Sequence, residues 1–132
     1  MSEIKLIIQG NQENPKGNPL GYKRTLNHSW RADSTKYVEW CRYVRQNYYQ
    51  QIVGKVTWKE VKDQKPLSTS KDQSVEVDMF IEYANDVRPD GDNVFKGICD
   101  ALFKNDKYIM AGSFKSKYSA DKTGRVEIII KL

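Results

Sequence analysis

Between residues 75 and 104 the hydrophobic period changes from two to that of a helix, and this change constrains the fold more than any other feature. Val75, Val77, Met79, Ile81 and Tyr83 alternate with Glu76, Asp78, Phe80 and Glu82. Side chains along a strand point to opposite faces in turn, so the alternation predicts a strand with one buried face. From Asn93 to about Lys104 the spacing becomes helical, with Val94, Ile98, Ala101 and Leu102 on one side. The polar residues 85–91 between them predict a turn.

The rest of the chain supplies partners for these faces. Ile4, Leu6 and Ile8 alternate within residues 3–9 and predict another strand. Residues 10–33 hold Gly10, Pro15, Gly17, Pro19 and Gly21 among polar and basic residues, the pattern of a long basic loop. Asp33 or Ser34 is placed to cap a helix over residues 36–53. Its apolar stripe is Tyr37, Trp40, Cys41, Val44 and Tyr48, and such a stripe predicts core rather than a base-stacking platform. Residues 56–61 read as a short strand, and residues 108–115 and 126–132 as two more. The order implies an α+β fold: one domain over residues 1–132, with a mixed or antiparallel sheet of about four to five strands covered by two main helices.

Length and composition narrow the function. A chain of 132 residues fits one domain with a real core. No apolar run approaches the roughly 20 residues that span a bilayer, so no membrane partner is expected. The first residues carry too short an apolar stretch for a signal peptide, and a cytoplasmic location is expected. Residues 1–66 hold 12 basic and 6 acidic side chains, net +6, whereas residues 67–132 hold 10 basic and 11 acidic, net −1. A positive half beside a carboxylate-rich half suits an anionic polymer held near bound cations. Cys41 and Cys99 fall in helical patterns and read as buried thiols. With no CxxC and His28 as the only histidine, structural zinc and Ser–His or Cys–His catalysis have no support. The absence of a Gly-rich phosphate loop ending in Lys-Ser or Lys-Thr argues against nucleotide hydrolysis.

The stretch that carries chemistry is Arg88-Pro89-Asp90-Gly91-Asp92-Asn93-Val94-Phe95-Lys96. In locally extended backbone the Asp90 and Asp92 carboxylates project to one side. Two convergent carboxylates are hard oxygen ligands suited to Mg²⁺, which completes its shell with waters and substrate phosphate. Lys96 and the positive end of the following helix suit a phosphate. The competing reading is structural: Asp-Gly is a turn signal, and Asp92 stands where a helix N-cap is wanted. An EF-hand fails, because a loop begun at Asp90 puts Phe95 where Gly belongs.

The pattern Asp90-x-Asp92-Asn93-x-x-Lys96-x-x-x-Asp100-Ala101-Leu102 resembles the signature of the RusA-type Holliday junction resolvases. Asn105-Asp106-Lys107-Tyr108-Ile109 is similar to that family's second acidic element, which precedes a strand. Pro19-Leu20-Gly21-Tyr22-Lys23-Arg24 looks like its basic N-terminal loop. Two departures stand out. The link after Leu102 is shortened to Phe103-Lys104, and Asn105 stands where the first of two adjacent acids is usual.

The resemblance implies a Mg²⁺-dependent endonuclease, with Mn²⁺ as a possible substitute, acting on branched DNA with four-way junctions. Asp90, Asp92 and Asp106 would be the metal-binding catalytic carboxylates and Lys96 the active-site lysine, with Asp86 the alternative third carboxylate. Metal-activated water would attack the phosphodiester. Paired symmetric nicks call for a homodimer. No small-molecule substrate is implied. Lys16, Lys23, Arg24 and Arg31 in the loop, with Lys36, Arg42 and Arg45 on or near the helix, would contact DNA phosphates. Asp100, about two turns beyond Asp92, reads as structural. The alternative is a nucleic-acid-binding protein without catalysis, its carboxylates serving as cap and turn.

Overall fold

The computed structural model describes residues 2–23 and 32–132. The chain forms β1 (Glu3–Gln9), α1 (Ala32–Tyr48) and a one-turn α2 (Trp58–Val61). There follow β2 (Val75–Tyr83), α3 (Gly91–Leu102), β3 (Ile109–Tyr118) and β4 (Arg125–Lys131). The four strands make one mixed sheet in the order β1-β4-β2-β3. β4 runs antiparallel to both β1 and β2, with Leu6 opposite Ile128 and Met79 opposite the same residue from the other side. β2 and β3 are parallel, and parallel neighbours need a crossover, which α3 provides. The expected α+β domain, with a mixed sheet under two main helices, is the one observed.

The alternating pattern of β2 works as expected. Val77, Met79, Ile81 and Tyr83 are at most 1% exposed, as are Leu6, Ile8, Val126, Ile128 and Ile130 from the flanking strands. The α1 stripe, from Tyr37 to Tyr48, lies buried against that face, together with Val94, Ile98, Ala101 and Leu102 of α3. Each large side chain so buried contributes roughly 1.5–3 kcal/mol of transfer free energy. Glu76, Asp78, Phe80 and Glu82 point to the other face, which no helix covers among the described residues. Cys41 and Cys99 are buried free thiols.

Two elements differ from expectation. Residues 56–61 form no strand: Glu60 N–H donates to the Thr57 carbonyl at 3.0 Å, and α2 follows. Trp58 and Val61 are three apart, a helical spacing, and Val61 is the one residue of α2 that is buried. α1 begins at Ala32, ahead of the expected start, and ends at Tyr48. Residues Tyr49–Val53 continue as a π-helical turn, closed at Gly54, whose φ of +91° suits glycine. No helix among the described residues is long and apolar enough to cross a membrane.

Candidate active site

The end of β2 sets the position of the acidic segment. Tyr83 is 1% exposed, and its hydroxyl donates to the Pro89 carbonyl at 2.8 Å, fixing the loop just before Asp90. Burial holds the Tyr83 phenol above its ordinary range, and the Asp90 carboxylate adds to that rise. Asp90 is extended, and its carbonyl accepts from the N–H groups of Asn93 and Val94, each at 3.1 Å, which starts α3 at Gly91. A Cβ at Gly91 would lie 2.6 Å from the Phe114 ring, so the glycine lets the helix start pack directly onto β3.

This corrects one expectation. The N-cap position belongs to Asp90, and Asp92 lies inside the first turn of α3. The Asp90 side chain makes no capping hydrogen bond. Both side chains are exposed, and among the described residues neither carboxylate has a hydrogen bond or an ion pair. Several other acids are committed, Asp78 to Ser113 and Lys131, Asp100 to Tyr37 and Lys65, Asp121 to Ser119 and Arg125, although among the described residues Asp72, Asp106 and Glu127 are not. Two uncommitted carboxylates therefore stand at the positive end of a twelve-residue helix. They fit the partial ligand set that Mg²⁺ takes from protein, one or two carboxylates beside waters and phosphate.

Lys96 lies one turn beyond Asp92, exposed, with its ammonium 4.3 Å from the centroid of the Tyr22 ring. Tyr22 comes from residues 10–23 of the long basic loop, which are strapped across this end of the molecule. Asn18, 8% exposed, donates to the carbonyls of Val87 at 2.7 Å and Asn85 at 3.2 Å, and its own oxygen accepts from Ala84 N–H at 2.6 Å. Farther on, Tyr22 N–H donates to the Asn93 carbonyl at 2.9 Å. The strap carries Lys23 to a cleft of about 390 Å³ that Lys36 and Arg88 also line. Arg88 packs 4.4 Å over the Tyr83 ring and donates to the Tyr118 hydroxyl at 3.1 Å. That hydroxyl donates in turn to Asp86 at 2.5 Å.

The other expected site residues are distributed as follows. Asp90, Asp92 and Lys96 share the first turns of α3. Asp106 does not join them. It opens a 3₁₀ turn after the C-terminal end of α3, and α3 is about 18 Å long at 1.5 Å per residue. The parallel pairing of β2 and β3 enforces this, because Ile109 lies opposite Val75, at the start of β2 rather than its end. Asp106 instead lies near Cys99, whose thiol burial pushes up to about 12, with Asp106 adding to the rise. Among the described residues no group of three or more His, Cys, Asp or Glu side chains is placed to hold a metal ion.

Of the basic residues, Lys23 faces the cleft, and Lys16 is exposed, its carbonyl accepting from Gly124 N–H at 3.0 Å. Arg24 and Arg31 lie outside the described residues. Lys36 is 3.8 Å from Glu13, and Arg42 is ion-paired to Asp63 at 2.8 Å. Arg45, expected among the surface cations, is instead buried: it is 7% exposed and donates to the carbonyls of Lys62 at 2.8 Å and Ala101 at 3.2 Å. Its guanidinium closes the carbonyl end of α3, where a cation is favoured. Asn18, Tyr22 and Tyr37 reach the site through contacts across the fold, which no local sequence pattern marks.

Uncommitted carboxylates and a lysine at a helix start, beside a cationic cleft, define a protein equipped to handle phosphodiesters. Residues 13–131 match the family model of the endodeoxyribonuclease RusA, nearly the whole chain, and the chain belongs to that family. It is accordingly a nuclease with DNA as its substrate class. No curated protein matches the chain.

Proposed function

We propose that the protein is a Mg²⁺-dependent endonuclease that resolves four-way DNA junctions by paired symmetric nicks, acting as a homodimer. The observation that carries the reading is the uncommitted pair Asp90 and Asp92 with Lys96 one turn along α3. Asp90 and Asp92 would hold the ion, with Mn²⁺ as a substitute. When bound, a divalent ion supplies charge neutralisation at the phosphodiester and lowers the pKa of water. Lys96 pairs with a non-bridging phosphate oxygen, and the N-terminus of α3 adds its positive end to the same group. Lys23 and Arg88 at the cleft hold the neighbouring backbone by phosphate contacts that position without reading sequence. Two copies related by a twofold axis would present one such site to each of two strands.

The reading without catalysis has the carboxylates serving as cap and turn; Asp90 in the N-cap position without a side-chain capping bond, and Asp92 inside the helix, favour the catalytic reading over it. The test incubates the protein with a labelled four-way junction and with linear duplex of the same sequence, with and without Mg²⁺. Junction nicking that requires Mg²⁺ is expected. Salt-sensitive binding with no cleavage under any divalent ion would leave the non-catalytic reading in its place.

A further inference from the structure

Lys96 is held by an aromatic ring and, among the described residues, by no carboxylate. Its ammonium lies over Tyr22, and it forms no ion pair among the described residues. Tyr22 itself is braced on several sides. Its N–H donates to the Asn93 carbonyl at 2.9 Å, on the turn that carries Lys96. A Cβ at Gly97 would lie 3.1 Å from the Tyr22 nitrogen, so glycine there lets the strap lie close on α3. The Tyr22 ring meets Tyr37 edge-on, at 5.5 Å between centroids and 72° between planes.

Tyr37 is fixed in turn. It is 4% exposed, and its hydroxyl donates to Asp100 at 2.6 Å, while Asp100 also lies 3.3 Å from the Lys65 ammonium. Burial, above all, holds the Tyr37 phenol well above its ordinary range. Asp100 lies eight residues beyond Asp92 on α3, too far along the helix to share an ion with it. Through two rings it nevertheless reaches Lys96.

We propose that Tyr22 is a positioning residue for Lys96, and that Asp100 fixes Tyr22 through Tyr37. The inference rests on the role given to Lys96 in the proposed function. A lysine ammonium on its flexible stem samples many rotamers, and a phosphate would have to select one. A carboxylate partner would restrain it but would also compete with the phosphate for the ammonium. A ring face attracts the cation without neutralising it, so the N–H donors remain available. The face of the ring does this, and the Tyr22 hydroxyl has no hydrogen bond among the described residues.

The test uses the full chain, a four-way junction and Mg²⁺, and compares Tyr22→Phe, Tyr22→Leu and Tyr37→Phe. Single-turnover cleavage and junction affinity are measured separately, and the Lys96 side-chain protons are followed by NMR. In the wild type and in Tyr22→Phe the Lys96 ε-methylene protons are expected upfield, shifted by the ring current. Tyr22→Leu abolishes that shift and slows cleavage by about tenfold to a hundredfold, the scale of a misplaced catalytic group, with junction affinity unchanged. Tyr37→Phe, which keeps the ring and loses the Asp100 bond, falls between. An unshifted Lys96 signal in the wild type, or wild-type cleavage by Tyr22→Leu, overturns the positioning role. Wild-type cleavage by Lys96→Ala, with the ring-current shift present in the parent protein, overturns the role proposed for Lys96 itself.

Discussion

The Asn18 side-chain amide donates to the Val87 carbonyl at 2.7 Å, joining the basic loop to the turn that leads into Asp90. The same side chain accepts from Ala84 N–H at 2.6 Å, so both ends of the amide are used. Residues 10–23 of the loop expected to contact DNA phosphates are therefore also part of the site's scaffold.

Replacing Asn18 by Ala leaves the Ala84 N–H, in a partly buried place, without its partner, and frees the Val87 carbonyl on an exposed residue. The expected cost is about 1–3 kcal/mol. For a domain of this size that lowers the melting temperature by roughly 3–4 °C per kcal/mol. Thermal unfolding followed by circular dichroism measures it. An unchanged melting temperature would show that the loop is not tied to the body through Asn18.

The separation of Asp106 from Asp90 and Asp92 predicts different outcomes for substitution of the three carboxylates. Asp90→Asn and Asp92→Asn are each expected to reduce Mg²⁺-dependent nicking by about 100-fold or more, as loss of a main charge-stabilising group does. Junction binding should survive in both. Asp106→Asn, one helix length away, is expected to cut at close to the wild-type rate. Equal loss in all three variants would mean that residues 103–108 reach the site when DNA binds.

What could be read from sequence was local. The alternation of Val75 to Tyr83 and the helical spacing of Val94 to Leu102 each depend on neighbours a few residues away, and both elements appear where expected. The acidic signature has the same local character, so Asp90, Asp92 and Lys96 are brought together by one helix start. Residues 56–61 have too few apolar positions for either period to decide. The position of Asp106 depends on β2 and β3 being parallel, and the tie from Asn18 to Val87 crosses the whole loop and sheet. Neither is encoded in a periodicity. Arg45 is a different case, because its signal was present: it follows Cys41 by four and precedes Tyr48 by three, within the buried stripe.

Arg45 should accordingly behave as a structural residue. Its guanidinium satisfies the Lys62 and Ala101 carbonyls from a buried position. Arg45→Met keeps apolar bulk but leaves both acceptors unpaired, for an expected loss of about 1–3 kcal/mol in urea unfolding. Arg45→Lys, with a point charge in place of the fork, should recover only part of it. The folded protein should bind a four-way junction as tightly as the wild type. Weaker binding at unchanged stability would return Arg45 to the DNA-contacting set.

Asp78 on the open face of the sheet sets part of the response to acid. Ser113 donates to one carboxylate oxygen at 2.6 Å, and the Lys131 ammonium lies 3.3 Å from the other. The Ser113 hydrogen bond, and after it Lys131, hold the Asp78 carboxyl below its ordinary range against an opposing effect of partial burial. A carboxyl depressed in the folded state contributes stability above its unfolded value of about 3.9, and that contribution is lost as pH falls through the folded value. The urea midpoint of the wild type is therefore expected to fall below about pH 4 more steeply than that of Asp78→Asn. The two curves should converge at the acid end, where Asp78 is uncharged. Parallel curves down to the lowest pH at which the protein stays folded would mean that Asp78 titrates alike in both states and contributes nothing to acid sensitivity.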